Sequence, residues 1–184
     1  MTMSPNLLPD PVLEADPSPA RTTARTEGRI VSLNISAGGV PKLPVAEARL
    51  GPTGLEGDRQ RNRRYHGGPT RALCIYSLER IHALQREGHP IVPGSAGENI
   101  TLEGIDWPLL APGVRLALGE TEVEITTYTS PCGVIRHSFS DYNSVRIWQG
   151  THPGWSRVYA RVITEGVIRA GDAARILREP ATTE

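Results

Sequence analysis

The sequence predicts a mostly β, barrel-like domain with a few short helices. Three observations carry that expectation. Short apolar or alternating runs recur along the chain, each bounded by turn residues. The 184 residues include 19 glycines and 16 prolines, which favour many short elements joined by turns over a helical bundle. One segment alone carries a clear helical pattern. With aromatic residues at 5%, the core must rest on Val, Ile, Leu and Ala.

Taken in order, residues 1–26 read as a disordered tail. Pro5, Pro9, Pro11, Pro17 and Pro19 stand there among small polar residues, with little apolar periodicity. Arg21 and Arg25 give it something of a transit peptide, but Asp10, Glu14 and Asp16 argue against that, and no continuous apolar stretch suggests a secretory signal. The domain proper is placed at 27–178, with a short tail at 179–184. Ile30, Leu33 and Ile35 mark a first strand, and Val45 to Leu50 can form another. Ala72-Leu73-Cys74-Ile75-Tyr76 is a continuous apolar run, as in a strand buried on both faces. The helix follows: Ser77 is a suitable N-cap, Glu79 lies in the first turn, Gly88 closes it, and Leu78, Ile81 and Leu84 form its inner face. Strands resume at Asn99–Leu102, Val114–Leu118 and Val123–Tyr128. In the last, Val123 and Ile125 alternate with Glu122 and Glu124, as in a half-exposed strand. Gly133 to Gly150 reads as short helices. Trp155 to Ile163 is a further strand, and Val167 to Asp172 reads as a hairpin leading into Ala174–Leu177. There is no internal repeat.

The formal net charge is zero, which argues against general nucleic-acid binding, and no apolar run is long enough to span a membrane. Two cysteines, Cys74 and Cys132, are too few for a disulfide scaffold or a structural zinc site and suggest a reducing, cytoplasmic setting. The basic residues are almost all arginine, Lys42 being the single lysine. Genome base composition accounts for the overall bias. It does not account for Arg59, Arg61, Arg63, Arg64 and Arg71 falling so close together; they form either a solvated basic loop or an anion site.

That cluster lies in the most informative stretch of the chain. Gly54-Leu55-Glu56-Gly57-Asp58-Arg59 is followed by His66-Gly67-Gly68-Pro69-Thr70-Arg71. It is too polar for a core and too rich in glycine for a helix interior. Glycines let backbone N–H groups converge on an oxyanion, and His66 can donate to a phosphate or act as acid or base; a glycine turn with a surface histidine is the plain alternative. Glu56 and Asp58 are read as structural partners of nearby arginines. Cys132, between Pro131 and Gly133, offers a thiolate that can ligate a soft metal or attack an electrophile, although a buried inert thiol is the usual fate of a lone cysteine. Cys74 is read as a core residue. His137 lies five residues beyond Cys132, a weak pairing candidate, and His82 and His89 read as surface residues. Asn99, after Gly97-Glu98, either orients a ligand or forms a local turn.

Four of these motifs, in this order and spacing, resemble the MOSC domain, the module named after the C-terminal part of molybdenum-cofactor sulfurases. They are Gly54-Leu55-Glu56-Gly57-Asp58, His66-Gly67-Gly68-Pro69 with Arg71-Ala72-Leu73, Gly97-Glu98-Asn99, and Ser130-Pro131-Cys132. The likeness covers roughly residues 27–178 and is greatest to small bacterial members of the 6-hydroxylaminopurine-resistance type. It implies a β-barrel fold and binding of the molybdenum cofactor, a pterin dithiolene carrying a phosphate. Cys132 would be the molybdenum ligand and the catalytic residue. Arg59, His66, Gly67, Gly68, Arg71 and Asn99 would bind the cofactor. The resemblance also carries an expectation of pyridoxal phosphate binding. It implies reduction of N-hydroxylated compounds, such as hydroxylamines and N-hydroxylated bases, to amines. With no cysteine cluster for an iron–sulfur centre, the electrons would come from a partner protein. The alternatives are a sulfur carrier using a Cys132 persulfide and a non-enzymatic module that binds or delivers the cofactor. Those bacterial members carry a further C-terminal helical region, whereas this sequence ends soon after Asp172–Leu177.

Overall fold

A computed structural model describes residues 23–59 and 67–178. The proposed disordered tail up to residue 22, the residues 60–66 that include His66, and the C-terminal 179–184 lie outside the described residues.

The strands are β1 (Glu27–Ile35), β2 (Leu43–Val45), β3 (Glu47–Gly51), β4 (Gly54–Leu55), β5 (Leu73–Ser77), β6 (Ile100–Glu103), β7 (Arg115–Leu118), β8 (Thr121–Tyr128), β9 (Val158–Thr164), β10 (Gly166–Arg169) and β11 (Ala173–Arg178). The one α-helix among the described residues, α1, is Leu78–Arg86. The main sheet runs β11-β7-β8-β9-β5-β6-β1-β2, and a further pairing of β11 with β1 closes seven of these strands into a barrel, with β2 hanging on β1. Closure removes the exposed strand edges that an open sheet would present. β1 serves three partners because it is long: its first residues pair with β11, its middle with β6, and Leu33–Ile35 with β2. A smaller sheet, β10-β3-β4, packs alongside.

The core is aliphatic, as composition required. Ile30, Leu33, Leu73, Ile75, Ile100, Leu116, Val123, Ile125, Val158 and Ala160 are fully buried. β5 is buried along its whole length, which is why its sequence shows no alternation. α1 then crosses over to β6, which runs parallel to β5. The Ser77 Oγ accepts from the Arg80 N–H at 3.2 Å as the N-cap, Ile81 and Leu84 are buried, and Gly88 ends the helix at φ 90°. β8 alternates as expected, with Glu122 and Glu124 outward and paired to Arg115 of β7.

Several boundaries differ from the sequence reading. The chain joins the fold before residue 27: Arg25 hydrogen-bonds Asp106 at 2.9 Å through its backbone N–H and its side chain, and the Thr26 carbonyl accepts from Ile176 N at 2.9 Å. The single strand expected over Val45–Leu50 is two, divided at Ala46 between the barrel and the small sheet. Val167 to Asp172 does form a tight turn, with Asp172 N donating to Arg169 O at 3.1 Å. Its arms are not a hairpin: β10 pairs with β3, while β11 pairs with β7 and β1. Local turn chemistry was visible in the sequence; the choice of long-range partner was not.

Candidate functional site

The ends of β1 and β8 and the beginnings of β6 and β9 converge around β5. Asn34 N donates to Asn99 O at 2.7 Å, Asn99 N to Cys74 O at 2.7 Å, and Thr129 N to Arg157 O at 2.9 Å. The loops leaving these ends enclose a cleft of about 530 Å³, within the range of small-molecule sites. Lys42, Arg59, Arg71 and Arg157 line it together with Cys74, Cys132, Asn99 and Tyr159, and Val40, Val134 and Ile135 supply apolar wall. No acidic side chain is among the described residues that line it.

Asp58 organises one side. Its side chain is 4% exposed and ion-pairs with Lys42, whose side chain is 9% exposed. It also accepts from Asn99 Nδ2 at 2.8 Å and from the Ser36 N–H at 2.9 Å. This is the structural role expected of Asp58, but its partner is Lys42 rather than an arginine. The glycines of the motif make the approach possible. At Gly54, φ is 118° and a Cβ would come within 2.3 Å of the Ala72 carbonyl oxygen, so any side chain there would collide with backbone. The turn after β4 then delivers Arg59, anchored through its N–H to Ser36 O at 2.7 Å.

Arg71 ends a 3₁₀ turn, Pro69–Arg71, that brings it to the cleft, and its guanidinium lies over the Tyr159 ring. Gly67 and Gly68 are not among the lining residues. Both have positive φ and form the turn that launches Pro69–Arg71. Asn99 does reach the lining, but its amide is committed: Oδ1 accepts from Cys74 N at 3.1 Å, and Nδ2 donates to Asp58 and to Asn34 O. It clamps β5, β1 and the Asp58 turn together behind the cleft. The structure thus brings Arg59, Arg71, Asn99 and Cys132 into one site, whereas His66 lies outside the described residues.

Cys132 follows β8 and opens a 3₁₀ turn, Gly133–Ser138. It is half-buried and free, and no described group hydrogen-bonds to its sulfur. Gly133 leaves open space beside it, with no atom within 4 Å of where a Cβ would stand. The Cys132–His137 pairing does not form: His137 is exposed and packs edge-on against Tyr142. No group of three or more His, Cys, Asp or Glu among the described residues could hold a metal ion by itself.

Four lining residues with polar or ionisable side chains escaped sequence reasoning as site residues: Lys42, Cys74, Arg157 and Tyr159. Cys74 is a core residue by burial, as expected, yet it also forms part of the cleft. Burial pushes its thiol up to about 11 despite the Arg157 charge nearby, and pushes the Tyr159 phenol up to about 12. Both stay protonated at neutral pH. A signal for Arg157 and Tyr159 was present. In Arg157-Val158-Tyr159-Ala160-Arg161-Val162, strict alternation sets Arg157 and Tyr159 on the face opposite the core residues Val158 and Ala160.

Comparison with known proteins agrees with this architecture. The family model of the MOSC domain matches residues 62–175. Protein YiiM of Escherichia coli is 32% identical over 137 residues, covering 71% of this chain and 60% of that protein. The uncharacterized protein YflK of Bacillus subtilis is 29% identical over 141 residues, covering 76% of this chain and 63% of its own length. The chain therefore spans less than two thirds of the length of these relatives. The crystal structure of YiiM from Geobacillus stearothermophilus superposes with a TM-score of 0.64 at 26% identity, covering 82% of this chain and 75% of that one.

Proposed function

The chain belongs to the MOSC domain family, and on that premise we propose that its cleft holds a molybdenum cofactor and reduces N-hydroxylated compounds to amines, with electrons from a partner protein in a reducing cytoplasm. The observation that carries this reading is the composition of the cleft. Arg59, Arg71, the Asp58-paired Lys42 and an open thiol face one cavity, with no acidic side chain among the described residues that line it. Such a site favours an anionic ligand that bears a soft metal.

The residues present fit that group. Arg59 and Arg71 offer forked donors for a terminal phosphate. Cys132 offers one soft ligand, which suits a metal already held by sulfur atoms of the ligand itself. Lys42, fixed by Asp58, adds a positioned charge. When bound, the cofactor would supply the two-electron chemistry at the N–O bond. Conversion of R–NHOH to R–NH₂ breaks that bond, consumes two electrons and two protons, and releases water. The protein's part is to orient the substrate between the apolar wall of Val134 and Ile135 and the cationic side. Pyridoxal phosphate is served less well: a Schiff base needs a free lysine amine, and Lys42 Nζ is engaged by the Asp58 carboxylate.

The test is to purify wild type and Cys132→Ser from a host that makes the cofactor, then follow reduction of an N-hydroxylated base with an artificial electron donor. Wild type should turn over, and the serine variant should fold but be inactive, because a hydroxyl is a harder and far less acidic ligand. Full activity of the variant would remove the thiolate from the mechanism. A persulfide on Cys132, seen by mass spectrometry without molybdenum, would favour the sulfur-carrier role instead.

A further inference from the structure

We propose that Arg157 forms a second oxyanion site on the floor of the cleft, separate from the Arg59 and Arg71 pair, and that it receives a carboxylate borne by the substrate. The inference rests on the cofactor reading for the identity of its ligand as substrate, but not for the existence of the anion site.

Arg157 is buried, with 5% of its surface exposed, yet it makes no ion pair with any described acid. Among the described residues its Nη1 donates to the Ala96 carbonyl and makes a long hydrogen bond of 4.0 Å to the Cys74 sulfur. Nε is buried without an acceptor. The nearby buried acid, Glu98, makes no ion pair with it. Glu98 spends one carboxylate oxygen on the Gly94 N–H at 2.7 Å and the Thr101 hydroxyl at 3.3 Å, and its other oxygen has no partner. Burial pushes the Glu98 carboxyl above its usual range, toward the neutral form. Cys74 is likewise held as a neutral thiol. A buried guanidinium with unfilled donors is costly to keep, and this one borders a cavity. The missing partner is an anion that enters the cleft.

Position separates this anion from the cofactor phosphate. Lys42 is paired with Asp58. Arg59 and Arg71 reach the cleft from the turn after β4 and from the Pro69–Arg71 turn. Arg157 reaches it from the start of β9, next to Ala96 and Cys74. A carboxylate is the planar, singly charged group that a guanidinium fork receives in two-point fashion.

The experiment uses full-length protein without cofactor and titrates benzoate and inorganic phosphate calorimetrically. The proposal expects both probes to bind wild type at the same time. Arg157→Gln should weaken benzoate roughly 10- to 100-fold, as loss of a charge-assisted pair does, and leave phosphate within about threefold. The Arg59→Gln/Arg71→Gln variant should show the reverse. Absence of benzoate binding, competition between the probes, or equal loss in both variants would overturn it. Should Arg157→Gln not fold by circular dichroism, Arg157→Lys carries the test, with benzoate weakened about tenfold; unchanged benzoate affinity would overturn the proposal. Molybdenum content of Arg157→Lys from a cofactor-making host should match wild type. Its loss would make Arg157 part of the cofactor's own holder and overturn the second site while leaving the proposed function intact. Wild type that binds benzoate but never loads molybdenum would instead remove the cofactor reading and leave the anion site standing.

Discussion

Replacing Asp58 by alanine should be among the most destabilising single changes near the cleft. The Asp58 and Lys42 side chains are 4% and 9% exposed, so solvent screens the pair little. Removal leaves a buried ammonium without its counter-charge, and strips acceptors from Asn99 Nδ2 and the Ser36 N–H. Breaking a buried pair from one side costs about 3–5 kcal/mol. For a domain of this size each kcal/mol lowers the midpoint by roughly 2–4 °C, so a fall of about 10 °C is expected. Thermal and urea unfolding of wild type, Asp58→Ala, Lys42→Met and the double variant would measure it. The double variant should recover part of the loss, because no charge is then stranded. A cost below about 1 kcal/mol for Asp58→Ala, as for an exposed pair, would refute the claim that Asp58 holds this wall of the cleft together.

Stability should fall at alkaline pH. The Cys74 thiol is raised from 9.0 to about 11, so the unfolded chain loses that proton first; the contribution is complete below pH 9 and is lost as pH rises through 11. Two units correspond to about 3 kcal/mol. Urea titrations at pH 8 and pH 11 should show a loss that Cys74→Ala reduces, the raised phenols of Tyr76 and Tyr159 accounting for the part that begins above pH 10. An identical alkaline loss in that variant would contradict the assignment. Gly54→Ala should cost roughly 2–5 kcal/mol, because its Cβ meets the Ala72 carbonyl at 2.3 Å in a backbone conformation that disfavours side chains. A variant of wild-type midpoint would show that the β4 turn is free to shift.

Much of this was legible in the sequence, and the reasons differ between fold and site. The cap and stop of α1, the unbroken burial of β5 and the alternation of β8 are local patterns, and each appears where the sequence sets it. Barrel closure depends on β1 meeting β11, the first and last strands in chain order, so no local pattern reports it. At the site, Arg59, Arg71 and Cys132 announce themselves as unusual residues among glycines and prolines. Asn99 sits where expected, but its amide is spent on backbone and on Asp58, which only the long-range pairings reveal. Lys42 and Arg157 come from segments with no motif of their own. They become part of the cleft because the barrel brings strand ends together from distant parts of the chain.

The central claim is that this cleft holds a molybdenum cofactor through Cys132 and its cationic walls. The most direct measurement is the molybdenum and pterin content of full-length protein purified from a host with intact cofactor synthesis, alongside Cys132→Ser and Arg59→Gln/Arg71→Gln. The account predicts close to one molybdenum and one pterin per wild-type chain, loss of metal retention in the serine variant, and loss of both in the double arginine variant. Folded wild-type protein that carries neither, from cells whose other molybdenum enzymes are loaded, would contradict it.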